Sequence, residues 1–184
     1  CHKSGLGCEL NIYNFEAKAK ILNYSDSVHI GDTIWLEIKS AIIQNDANTS
    51  QQINYSNAYN LGTAIGFGEL IAPNERKEAA NDFNYYLKKG TLVNKPNISL
   101  IREYRFSESI TEYKFLVGLI HKKTGIFSIG LSNAANVYRT NDKCTKAFYR
   151  IYFSETPLHL YYFKSIYGTN VDSTYTSPYF FKVS

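Results

Sequence analysis

Apolar and polar residues alternate with a period of two along much of this chain, and that period predicts strands. Phe15, Ala17, Ala19 and Ile21 interleave with Glu16, Lys18 and Lys20, a half-buried strand. Asn23 to Ser27 supply turn residues, Val28 to Ile30 continue extended, and Gly31-Asp32 turn the chain. Thr33 to Ser40 then reads most clearly of all: Ile34, Leu36 and Ile38 face one side, Thr33, Trp35, Glu37 and Lys39 the other. Residues 44 to 60, rich in Asn, Gln and Ser, are expected to form a long loop. Gly66 to Ile71 fits a short strand. Asn74 followed by acidic and alanine residues to Ala80 predicts a short helix. Strands are expected at Phe83 to Leu87, Ile98 to Phe106 and Tyr113 to Ile120, and the turn His121 to Gly125 is expected to join the last of these to Ile126–Leu131 as a hairpin. Ala147 to Ser154 is an aromatic strand, Leu158 to Tyr167 fits helix or strand, and Tyr179 to Val183 reads as a closing edge strand.

Eight or more short strands separated by turns favour a sandwich over a parallel sheet. The expected fold is therefore all-β, a sandwich with long loops and one or two short helices. Composition agrees, with 16 Tyr and 11 Phe against one Trp and no Met, a bias toward residues that suit a pleated surface. At 184 residues the chain suits one domain burying roughly 70% of its unfolded surface. That domain is expected over 10–184, behind a polar tether at 1–9, with no repeat and no interdomain linker. A net charge of +4 and the lack of any recognisable nucleic-acid motif argue against a nucleic-acid partner.

The chain has three cysteines, an odd number for an exported protein. A sequence that opens on Cys1 has three readings: an artificial boundary, a released propeptide, or cleavage ahead of an acylated cysteine. Lipid on Cys1 explains most, because the polar, glycine-bearing segment after it suits a tether and because Cys8 and Cys144 are then left as one pair. The alternative for those two is a pair of buried free thiols. Zinc is not expected, since two cysteines so far apart lack the spacing of a structural site.

Taken together, Cys1, the Gly31-Asp32-Thr33-Ile34-Trp35-Leu36 block and Lys143-Cys144 ahead of an aromatic strand resemble the small uncharacterised lipoproteins of the Bacteroidota. The resemblance implies an immunoglobulin-like sandwich, a cell-envelope location and a binding or structural role without catalytic residues. It also implies O-glycan acceptors at Asp-(Ser/Thr)-apolar or Thr triplets, which makes Ser27, Thr33 and Ser173 candidates, Thr33 the poorest because it enters a strand. Surface-exposed members carry acids after the cysteine. His2 and Lys3 stand there instead, tilting the expectation toward the periplasmic face of the outer membrane and leaving the cell surface open.

No catalytic constellation is legible. His2, His29, His121 and His159 share no metal-ligand spacing, and each is expected to be solvated or hydrogen-bonded. Lys123-Thr124-Gly125 lacks the Ser-x-x-Lys partner that penicillin-binding chemistry needs, and Gly62, Gly66 and Gly68 are not ordered to cradle a phosphate. The chain is expected not to be an enzyme and to need no metal or cofactor beyond the lipid on Cys1. Two features suit an interface. Trp35, on the polar side of its strand, fits a sugar face or a partner, or else lies under a neighbouring loop. Arg139, Lys143, Lys146 and Arg150, against Asp142 alone, fit anionic headgroups, or else an ordinary solvated face. The functional expectation is a non-catalytic accessory subunit of an outer-membrane β-barrel complex, with the bilayer and envelope proteins as partners. The alternative is a free-standing glycan- or ligand-binding lipoprotein using Trp35, Tyr55 and Tyr59.

Overall fold

A computed structural model of the chain describes residues 7–23, 28–73, 75–93, 101–155 and 179–184. The expected alternation becomes β1 (Asn11–Leu22), whose Phe15, Ala17, Ala19 and Ile21 are buried while Glu16, Lys18 and Lys20 are exposed. Next come β2 (Thr33–Ala41), β3 (Ile43–Asn45), β4 (Gln52–Asn54), β5 (Ala58–Tyr59), β6 (Gly62–Ala72), β7 (Glu75–Glu78) and β8 (Phe83–Lys89). The rest are β9 (Thr91–Leu92), β10 (Ile101–Arg105), β11 (Ser107–Glu108), β12 (Glu112–His121), β13 (Gly125–Leu131), β14 (Ala134–Arg139), β15 (Asp142–Phe153) and β16 (Tyr179–Val183). The larger sheet runs β11-β12-β2-β1-β15-β14-β5, with β8 beside β12 on the edge away from β2, which it shares with β11. The smaller runs β16-β13-β6-β10-β9, with β7 beside β6. The chain is therefore all-β, with its sheets in a sandwich-like arrangement.

The inner faces meet in one continuous core. Leu36 and Ile38 from β2, Phe115, Val117 and Leu119 from β12, and Tyr149 and Ile151 from β15 join Ile65 and Phe67 from β6 and Phe127 and Ile129 from β13. Burying such side chains contributes roughly 1.5–3 kcal/mol each before the entropy of ordering them is counted. At the centre of the larger sheet β1 runs parallel to β15, Asn11 opposite Thr145 through Ala19 opposite Phe153. Cys8 and Cys144 lie just ahead of that pairing and are joined by a disulfide with Cα atoms 6.1 Å apart. β16 closes the edge of the smaller sheet as expected.

Three expectations are corrected. Residues 75–78 form a strand instead of a helix, followed by a single 3-10 turn at Ala80–Asp82. All four residues of β7 are exposed, so a helix would have no apolar stripe to bury, whereas the free edge of β6 satisfies the β7 backbone. The expected loop at 44–60 contains the hairpin β3–β4 and the short β5. Asp46 organises it, accepting bonds from the backbone N–H of Asn14 and Thr49 and from the Thr49 hydroxyl. Third, β12 and β13 do not pair. The turn between them crosses from one sheet to the other, because each strand carries an apolar inner face and the two pack across the core instead of side by side. Lys123 fixes the crossover, pairing with Glu69 at 2.7 Å and Asp82 at 3.0 Å. The ambiguous Leu158–Tyr167 lies outside the described residues.

Candidate functional site

The most elaborate surface forms at the β5 edge of the larger sheet, and a buried tyrosine cluster builds it. Tyr55 is fully buried and donates its hydroxyl to the Val137 carbonyl at 2.7 Å. The Tyr113 hydroxyl donates to the Tyr55 carbonyl at 2.7 Å and accepts the Ala58 N–H at 3.0 Å. Phe15 and Tyr149 pack on the Tyr55 ring. Burial holds both hydroxyls well above the ordinary phenol range, so they stay neutral. Tyr55 is thus a structural anchor and not a ligand-binding aromatic, a correction to the glycan reading. Its consequence is β5: the chain leaves Tyr55 held, and two residues of strand pair with β14, Tyr59 opposite Tyr138 and Ala58 opposite Arg139.

On the solvent side of that pairing Tyr59 is 57% exposed. Tyr59, Tyr138, Arg139, Thr140 and Lys143 line a cleft of about 570 Å³, within the range that takes small ligands. Arg139 is fixed by donating Nε–H to the Ser56 carbonyl at 3.2 Å, and Thr140 N–H by the Asn57 carbonyl at 2.9 Å. The Lys146 ammonium stands 5.0 Å over the Tyr138 ring, within cation–π range. Asp142, opposite Arg139, is the local counter-charge and acts on it, which leaves Lys143 and Lys146 in excess. Its Oδ1 accepts the Cys144 N–H and its Oδ2 the Thr145 hydroxyl, with the Thr145 bond foremost in holding its carboxyl below the ordinary range. A second cleft of about 450 Å³ shares Tyr138 as a wall and continues past Asn136, Asn60 and Ser132 toward Glu103 and Arg105.

The basic stretch is therefore divided. Arg139 and Lys143 line one cleft and Lys146 stacks above its tyrosine, but Arg150 lies farther up β15, opposite Glu16 and 5.2 Å over Tyr152. Trp35 occupies a different part of the larger sheet. Its ring covers Gly118, where a Cβ would come within 3.1 Å of it, and meets Tyr86 edge-on at 6.0 Å. The Lys88 ammonium stands 4.2 Å over the ring. Among the described residues, side chains of β8 flank Trp35, where a covering loop was the alternative. Thr33 sits beside it at the start of β2, opposite Ile120, with its methyl group toward Gly118. Cys1, Ser27 and Ser173 lie outside the described residues, as do His2 and His159.

His121 departs from the solvated alternative. It is 2% exposed, and the Asp32 backbone is the polar group that acts on its ring, without reaching full hydrogen-bond geometry among the described residues. Phe83, Phe127 and Phe181 surround it at centroid distances of 5.0, 5.9 and 5.1 Å. Burial, outweighing an opposing pull from Asp32, brings its pKa down to about 4. Among the described residues no three His, Cys, Asp or Glu side chains gather as metal ligands.

Sequence reasoning missed Tyr138, Tyr86, Lys88 and Gly118. Tyr138 was hidden because Asn136, with φ +55°, breaks the two-residue period of β14. The other three depend on which strands lie side by side. The chain matches no protein-family model, no curated protein and no solved structure, so the reading of this surface rests on its own geometry.

Proposed function

We propose that this chain is a non-catalytic domain of the bacterial cell envelope, held at the outer membrane by lipid on Cys1 and serving as an accessory subunit of a β-barrel complex, on the periplasmic face. The observation that supports the reading is the Cys8–Cys144 disulfide. Such bonds persist in oxidising compartments, and pairing these two leaves Cys1 as the third thiol of the chain. From Cys8 the chain back to Cys1 can span at most about 25 Å, so a lipid there would hold the β15 start, with Lys143 and the adjoining cleft, close to the bilayer. The test is affinity capture of the native protein from membranes opened with mild detergent, with intact mass of the captured chain. The reading expects an acylated mass and a barrel protein in stoichiometric amount. A monomer with an unmodified Cys1 overturns it.

A second reading, a ligand- or glycan-binding envelope domain, is favoured by the outward aromatic residues Trp35, Tyr86 and Tyr59. Acylated protein captured alone, without a barrel partner, would favour it over the first.

A further inference from the structure

The geometry points to the groove along β14 as a binding site for an acidic saccharide. One sugar unit would lie against Tyr59 and Tyr138, with its carboxylate or phosphate on Lys143 and Arg139. The inference deepens the ligand-binding reading and is independent of lipid on Cys1 and of any barrel partner.

Four observations carry it. Opposite positions on β5 and β14 place Tyr59 and Tyr138 on one side of the sheet, and an aromatic ring offers a pyranose an apolar face while leaving its hydroxyls in water. The cations are arranged and not merely nearby: Arg139 is held by its Nε–H on the Ser56 carbonyl and by its guanidinium 5.9 Å over the Tyr55 ring, and it lines the same cleft as Lys143. The local carboxylate, Asp142, accepts bonds from Cys144 and Thr145 and offsets only one of the charges of Arg139, Lys143 and Lys146. Glu108, behind β5, accepts the Asn57 N–H. Finally, Tyr138 is a wall of both clefts, of about 570 and 450 Å³, so a second concavity adjoins the first. Its far stretch offers Asn60 and Asn136, and the charges there, Glu103 and Arg105, pair with each other at 3.0 Å. Charge is thus concentrated at the tyrosine end and neutral hydrogen-bonding groups at the other, which suits an oligomer with its acid at one position.

The test titrates the disulfide-bonded full chain with galacturonate, glucuronate-containing and phosphorylated oligosaccharides, with neutral malto-oligosaccharide, and with polyphosphate, read by calorimetry. At least one acidic oligosaccharide is expected to bind about tenfold more tightly than the neutral one, and to weaken as salt rises. Tyr59→Ser and Lys143→Gln should each lower that affinity about tenfold with unchanged thermal midpoints, since both side chains are exposed. Lys77→Gln, on the remote strand β7, should leave it unaltered. Binding by none of the acidic oligosaccharides overturns the assignment. So does equal binding of polyphosphate, or retention of affinity in Tyr59→Ser, because either would mean charge alone is recognised. Failure here would leave the acylation and capture results untouched.

Discussion

At the scale of single residues, His121 couples the fold to acidity. Its imidazole sits among Phe83, Phe127 and Phe181, where only the neutral form is accommodated, and burial lowers its pKa from 6.5 to about 4. The unfolded chain takes up a proton as pH falls through 6.5, while the folded chain resists until about 4. The unfolded state therefore binds more protons within that window, and stability decreases as pH drops through it. The loss attributable to this residue is about 3 kcal/mol between the two limits. Urea unfolding of the native chain and His121→Phe at a series of pH values should give a stability difference that shifts by that amount across the window and is flat above it. A difference that does not vary with pH would refute the assignment. Glu37 and Asp46 act lower on the scale. Against the cost of burial, bonds from Lys114 and Lys39 keep Glu37 below its ordinary range, and the Asn14 N–H does most to lower Asp46. Both lose stabilising bonds only as they are protonated.

At the scale of strands, what matters is which neighbours a register creates. Gly118 stands opposite Trp35 on one side and Tyr86 on the other, and its missing side chain is what lets the indole lie across β12. A Cβ at this position would fall 2.8 Å from the Thr33 methyl and 3.1 Å from the indole. Gly118→Ala should lift the ring off the sheet and away from Tyr86, at a cost of about 1–3 kcal/mol. Trp35 is the one tryptophan of the chain, so its emission reports this directly: a red shift is expected in the variant, and an unchanged spectrum would contradict the packing. The strand scale is also where sequence reading was weakest. Phe15 to Ile21 and Thr33 to Ser40 were legible because each has one wet and one dry face. The β3–β4 hairpin was not, since Asp46 holds it with polar bonds that leave no hydrophobic period. The β12–β13 turn was misread for a different reason: local chemistry permits a reversal but does not say whether the chain returns to the same sheet or to the facing one.

For the molecule as a whole, the Cys8–Cys144 bond is a long-range covalent constraint, joining positions 136 residues apart. In the loop-entropy model, closing such a loop is worth about 5 kcal/mol through the unfolded state. The Cys8→Ala, Cys144→Ala double variant should unfold at clearly lower urea, by several kcal/mol, with the sheet spectrum retained. No loss of stability would show that the bond does not constrain the unfolded chain. The bond also sits where the parallel pair β1–β15 begins, so its loss should loosen first the end of the sheet that carries Tyr59, Tyr138 and Lys143.

The all-β class and the inward faces of β1 and β2 could be read from the chain alone, because side-chain alternation is a local property. The pairing of Cys8 with Cys144 was an expectation that rested on assigning Cys1 to lipid, and the tertiary structure decides it by bringing the two Cα atoms to 6.1 Å. The binding groove was decided only by tertiary structure. Tyr59 and Tyr138 are far apart in sequence and carry no shared period. They meet because Tyr55, held by the Val137 carbonyl and by Tyr113, delivers a two-residue strand to the edge of β14. A hydrogen bond made across the core leaves no trace in the local pattern of hydrophobic and polar residues, and so the site it builds leaves none either.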